Sequence, residues 1–138
     1  MRYAELAAAT NFSFLTGASH PGEMVETALA LGHSGIGIAD VNSVAGVVRA
    51  WSALKAARDE GRATDFRLIS GARLCFADGT PDIIAYPQTR AAWGRLTRLL
   101  SLGNLRSVKG ACTLYFTDLI AWCEGTTFTN ALFRSRSK

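Results

Sequence analysis

The chain has 138 residues, 49% hydrophobic, 19% charged and 9% aromatic, a globular profile that excludes disordered, collagenous and low-complexity classes. The formal charge of +4 is uneven: residues 1–50 hold two basic and four acidic side chains, and Arg134, Arg136 and Lys138 crowd the last five positions. A basic tail is weak evidence for nucleic-acid binding. No apolar run approaches the ~18–20 residues of a membrane span. The first residues lack a signal-peptide pattern, so the expected setting is the cytoplasm, with no membrane partner. Three cysteines (Cys75, Cys112, Cys123), odd in number and without a CxxC spacing, read as buried reduced thiols rather than a disulfide or zinc framework.

In chain order, Tyr3 to Ala9 reads as a short strand, weakened by its alanines. Residues 11–17 form a turn-rich connection with two aromatics. Ser19-His20-Pro21-Gly22-Glu23 is a helix entrance, with Pro21 at the first helical position and Glu23 at the positive end of the dipole. Met24, Val25, Ala28 and Leu29 follow at helical spacing, and Gly32 ends the helix. Gly35 to Ala39 is a buried strand with Asp40 at its C-terminal end. Ser43 is expected to cap a second helix with Val44, Val47, Val48, Trp51 and Leu54 on its apolar face. A third strand spans Arg67 to Phe76, Asp78-Gly79 turns the chain, and Ile83 to Tyr86 is a fourth strand ended by Pro87. Thr89 caps a third helix carrying Ala92, Trp93, Leu96, Leu99 and Leu100. Leu114-Tyr115-Phe116 reads as a strand and Thr117 to Cys123 as a short helix capped by Thr117. Thr126 to Lys138 shows no helical or strand period and reads as an unstructured end. The alternation predicts an α/β fold with mainly parallel strands, either a small open sheet or part of a βα barrel, since a full eight-fold barrel typically needs about 250 residues.

In such folds chemistry sits at the C-terminal strand ends. Those ends carry Ala7-Ala8-Ala9, Asp40-Val41-Asn42 and Ser70-Gly71-Ala72-Arg73. Asp40 is a lone carboxylate there. A divalent cation or a general-base site wants several convergent groups, so the residues favour a role for Asp40 in capping a helix or holding a loop. His20 is expected to act locally at its helix entrance, and His33 to face solvent beyond Gly32 or lie near the negative end of the helix dipole. No GxSxG, phosphate loop or GxGxxG occurs. Arg95, Arg98, Arg106 and Lys109 form a candidate basic patch around the third helix, with a solvated helix face as the simpler reading. These residues alone give a soluble α/β domain without a complete active site.

Several segments together carry a resemblance: Tyr3-Ala4-Glu5-Leu6, the run 11–21 (NFSFLTGASHP), Gly37-Ile38-Ala39-Asp40, Asn42-Ser43-Val44-Ala45-Gly46, Gly71-Ala72-Arg73-Leu74 and the run 95–103 (RLTRLLSLG). In this order and spacing they resemble the N-terminal PHP (polymerase and histidinol phosphatase) module of the bacterial C-family error-prone DNA polymerases, relatives of the polymerase III alpha subunit. The resemblance covers roughly residues 2–125 and fades beyond Gly125, which divides the chain into a partial PHP domain (1–125) and a non-matching tail (126–138). It implies the first half of a distorted βα barrel. Intact members hold divalent metals (Mn, Zn or Mg) on a His-x-His pair of the first strand, an Asp-His pair of the second and a Glu of the third. Here those positions are Ala7 and Ala9, Asp40 and Val41, and Arg73, so Asp40 alone survives of the five. Methyl groups cannot coordinate, and a guanidinium repels a cation. The expectation is a metal-free copy in which Arg73 pairs with Asp40. The resemblance implies a structural module of a polymerase acting in replication and damage-induced lesion bypass, with the remaining polymerase domains and, through them, DNA as partners. The nucleotidyl-transferring palm is absent from these residues. A PHP-class metal-dependent phosphoesterase and a non-catalytic DNA- or polymerase-binding protein are the alternatives.

Overall fold

The computed structural model describes residues 2–130. The elements run β1 (Ala4–Ala8), α1 (Pro21–Ala30), β2 (Gly35–Val41), α2 (Ala45–Asp59), β3 (Arg67–Leu74), β4 (Ile83–Pro87), α3 (Arg90–Leu105), α4 (Phe116–Trp122) and β5 (Thr126–Asn130). The sheet order is β1-β2-β3-β4-β5, each strand beside its neighbour in sequence. β1, β2 and β3 are parallel, β4 returns antiparallel, and β5 is antiparallel to β4. Four of the five strands therefore point the same way, as expected of a half-barrel wall of largely parallel strands.

The local signals explain most boundaries. Pro21 opens α1, and the His20 N–H donates to Glu23 Oε2 (2.9 Å), satisfying a donor the first turn leaves over. Gly32 takes φ +71° just past that helix, a conformation open to glycine without steric cost. Thr89 Oγ1 accepts from the Ala92 N–H (3.1 Å) and starts α3. Asp78 Oδ1 accepts from the Thr80 N–H (3.1 Å) in the β3–β4 turn, while Oδ2 accepts from the Phe116 N–H (2.8 Å) at the start of α4. These bonds hold the Asp78 carboxyl below its usual range, the Phe116 bond foremost.

Helices cover one face of the sheet. Val25, Ala28, Ile36, Ile38, Val47, Ala50, Leu54 and Phe66 form the core between β1–β2 and α1–α2. Ala72, Leu74, Ala85, Leu96, Leu99, Leu100, Leu114 and Leu119 form the core between β3–β4 and α3–α4. Val44 packs against both, so the two cores are continuous beneath one helical layer. On the opposite face the buried apolar cluster is small: Ala39, Ile84 and Tyr86, with Ile69 beside them.

Four expectations need correction. The buried stripe of α2 is Val47, Ala50, Leu54 and Ala57, whereas Val48 and Trp51 are 68% and 48% exposed. The small alanines let the helix approach the sheet closely, and the larger side chains turn outward, Trp51 lying beneath the Arg58 guanidinium at 5.5 Å. The cap residue of α2 is Val44, with Ser43 Oγ accepting from the Ala45 N–H (3.1 Å) one position earlier. Leu114-Tyr115-Phe116 is not a strand: Leu114 is buried as a connection, Tyr115 caps α4 in place of Thr117, and Phe116 is its first residue. Thr126–Asn130 is not an unstructured end but the edge strand β5, in register with β4 from Thr126↔Pro87 to Asn130↔Ile83. Residues 131–138, with the basic side chains of the expected tail, lie outside the described residues.

Candidate functional site at the strand ends

Asp40 closes β2 and is fully buried. Its Oδ1 accepts from the Thr10 N–H (2.7 Å) and from Ser13 Oγ (2.6 Å), and its Oδ2 accepts from Thr10 Oγ1 (2.8 Å). Ser13 Oγ also accepts from the Val41 N–H (3.0 Å). Charge-assisted bonds to three donors compensate a carboxylate for the water it loses. A methyl group at Gly46, the second residue of α2, would lie 2.6 Å from Oδ2, 3.0 Å from Thr10 Oγ1 and 3.3 Å from Pro21 Cγ. Asp40 thus ties the loop after β1 to the starts of α1 and α2. Of helix capping and loop holding, the two roles the residues leave open, the geometry shows the second.

Arg73 does not pair with Asp40. β2 and β3 run in register, with Asp40 beside Ala72 and Val41 beside Arg73. Successive strand residues alternate faces, so Asp40 points with Ala72 into the helical layer and Arg73 points to the opposite face. There Arg73 lies between Val41 of β2 and Ile84 of β4. Its side chain is half-buried, and its Nε is buried without a hydrogen-bond partner among the described residues.

The floor of that open face is Tyr86, which sequence reasoning missed. Its ring lies over Gly71, where a Cβ would meet Tyr86 Cδ1 at 2.8 Å. Its hydroxyl reaches the first strand and donates to the Leu6 carbonyl. A Cβ on Gly37 would lie 2.6 Å from that same Leu6 oxygen. The missing side chains at Gly37 and Gly71 admit one tyrosine across β3 and β2 to β1. Burial raises the Tyr86 hydroxyl above its ordinary pKa, with Glu5 adding to the rise and the Arg73 charge opposing it. β1 bulges here: Glu5 pairs with Ile36 but Ala8 with Ile38, so one extra residue fits between them, a device that re-aims side chains near sites.

Residues 5–130 match the family model described as the PHP domain. The chain belongs to the PHP domain family. It is 58% identical over 126 residues to an error-prone DNA polymerase of Rhodopseudomonas palustris (strain BisA53), covering 91% of this chain and 11% of the relative. It is 57% identical over 122 residues to error-prone DNA polymerase 1 of Rhizobium meliloti (strain 1021), covering 88% and 10%. The chain thus spans about a tenth of the length of these relatives. Among solved structures, it is similar to a putative metal-dependent phosphoesterase of Bifidobacterium adolescentis (TM-score 0.57, 21% identity, 75% of this chain and 34% of that one). It is also similar to an amidohydrolase of Chromobacterium violaceum with bound sulfate and no metal (TM-score 0.55, 20% identity, 74% and 33%). At those identities the likeness shows the fold.

Against the metals that the resemblance implies for intact PHP members, the strand ends of this copy do not fit. Ala7, Ala9 and Val41 offer no donor atom, Arg73 brings a positive charge, and the Asp40 carboxylate is turned to the helical side and engaged by Thr10 and Ser13. Among the described residues, no three His, Cys, Asp or Glu side chains converge on a point. A hard cation needs several anionic or neutral donors at once, and this arrangement supplies none.

Of the four basic residues around α3 of the PHP fold, two are committed. Arg95 pairs with Glu124 (3.2 Å) and donates to its carbonyl (3.3 Å). Arg106 makes a two-pronged pair with Asp118 (2.7 and 3.1 Å) and lies over the Tyr115 ring at 5.2 Å. The guanidinium holds the Asp118 carboxyl below its usual range. That carboxylate also accepts from the Tyr115 N–H (2.9 Å), so the pair fastens α4 to the end of α3. Arg98 and Lys109 are exposed. His20 stays at the α1 entrance, its Nδ1 3.1 Å from Asn11 Nδ2. His33 packs edge-on against Tyr3 at 4.8 Å and is half-buried, and its backbone N–H donates to the Ala28 carbonyl at the C-terminal end of α1 (2.9 Å).

Proposed function

We propose that this chain serves as the N-terminal PHP module of a cytoplasmic error-prone DNA polymerase, a structural platform that works without metal ions while the polymerase body extends primers across lesions. What supports the reading is the chemistry at the strand ends: Ala7, Ala9, Val41 and Arg73, where the resemblance places metal ligands, bring no side-chain atom that could hold a cation. The extent of identity to the error-prone polymerases supports the parentage. Nucleotidyl transfer requires a metal clamp on the phosphates, and on this reading a part of the polymerase outside these residues supplies it.

The outer edges of β1 and β5, unpaired among the described residues, fit such a role. An unpaired edge is a liability in isolation and an attachment point in a larger barrel. In a polymerase carrying this module, deletion of residues 2–130 is expected to abolish primer extension on a lesion-bearing template. Full extension after the deletion contradicts the platform role.

A further inference from the structure

We propose that the open face of the sheet carries an oxyanion site centred on the Arg73 guanidinium, for the chemistry shared by inorganic phosphate and a carboxylate. The inference goes beyond the platform role and does not depend on the polymerase parentage.

It begins with an unpaired donor. The buried Nε–H of Arg73 has no partner among the described residues. A buried charged donor left without an acceptor is costly. No ion pair among the described residues involves Arg73. The nearby acids are otherwise engaged. Asp40 faces the helices and is bonded to Thr10 and Ser13. Glu5 accepts from Tyr3 Oη (2.9 Å) and from the Ala7 N–H (2.8 Å).

The surroundings suit an anion. Val41 and Ile84 stand on either side of Arg73 in register, and such apolar walls strengthen a charge-assisted bond by keeping water thin around it. The Tyr86 ring forms the floor. Its hydroxyl proton is given to Leu6, so the guanidinium is the principal donor left on this face. Arg73 is only half-buried, so part of its side chain stays open to solvent while its Nε is enclosed. The planar guanidinium can present two parallel N–H donors to two oxygens of one ligand. Where a cation would be repelled, an oxyanion completes the arginine.

The test uses the 138-residue chain labelled with 15N. Inorganic phosphate and, separately, acetate are titrated at constant ionic strength against a chloride background, and the Arg73 Nε–H resonance is followed. The expected result is a saturable shift at that resonance with phosphate, acetate or both, and a rise in melting temperature that follows the same titration. Saturation by phosphate alone assigns a tetrahedral ligand, and saturation by acetate alone assigns a carboxylate. Affinity is expected to fall at least about tenfold in Arg73→Gln and less in Arg73→Lys, which keeps the charge without the fork. No saturable shift with either anion overturns the proposal, as does an equal thermal response in Arg73→Gln. The direct resonance keeps the test decisive should that variant fail to fold.

Discussion

Replacing Asp40 by Ala is expected to cost the isolated chain roughly 2–4 kcal/mol of stability, because it leaves buried hydrogen-bond donors without their acceptor. The reason is arithmetic on donors. Thr10 N–H, Thr10 Oγ1 and Ser13 Oγ all converge on this carboxylate. Each buried donor left unsatisfied costs about 1–3 kcal/mol, and opening of the loop recovers part of it. Asp40→Asn keeps the shape but turns an amide N–H₂ toward at least one donor, so about half that loss is expected. Chemical denaturation measures both. Hydrogen exchange at Thr10 and Val41, whose N–H groups the clasp holds, should accelerate in both variants ahead of exchange in α3. A loss below about 1 kcal/mol, the level of an ordinary surface change, contradicts the clasp.

Tyr86→Ala is the second large effect. It removes the ring that fills the slot over Gly71 and the bond to Leu6 that ties β4 to β1. Large-to-small changes at buried aromatics cost about 3–5 kcal/mol, and here the cavity opens on the face with the smallest apolar cluster. Tyr86→Phe isolates the hydroxyl and is expected to cost about 1 kcal/mol, the net worth of one hydrogen bond. The ratio of the two losses is the readout. If Tyr86→Phe costs as much as Tyr86→Ala, the bond to Leu6 dominates and the packing account is wrong.

The sequence was most legible where local chemistry decides. Pro21, Gly32 and Thr89 punctuate helices through their own backbone and side-chain preferences, and each does so in the fold. For the lone strand-end carboxylate the residues leave helix capping and loop holding open, and its bonds to Thr10 and Ser13 are those of a loop holder. Misreadings arose where tertiary packing decides. On α2 the bulk of Val48 and Trp51 drew the apolar face, while close approach favours Ala50 and Ala57. β5 has no apolar alternation because it lies at an edge, exposed along most of its length. Its Thr-Thr-Phe-Thr run is nonetheless rich in β-branched and aromatic residues, a signal that could have found it. The Asp40–Arg73 pairing failed on parity, since a one-residue offset across two in-register strands sends side chains to opposite faces. The Tyr86 span needed the alignment of Gly37, Gly71 and Leu6, which only strand pairing reveals.

On the proposed reading, the positions where the resemblance places metal ligands carry side chains in this PHP copy that cannot hold a metal ion. Equilibrating the 138-residue chain with excess Mn²⁺ or Zn²⁺, removing free ion and counting bound metal tests it most directly. The account predicts less than about 0.1 metal ion per chain, since no set of converging donors is present, and no Mn²⁺-dependent hydrolysis of a phosphomonoester. One tightly held ion per chain, lost in Asp40→Ala and accompanied by turnover, would contradict it.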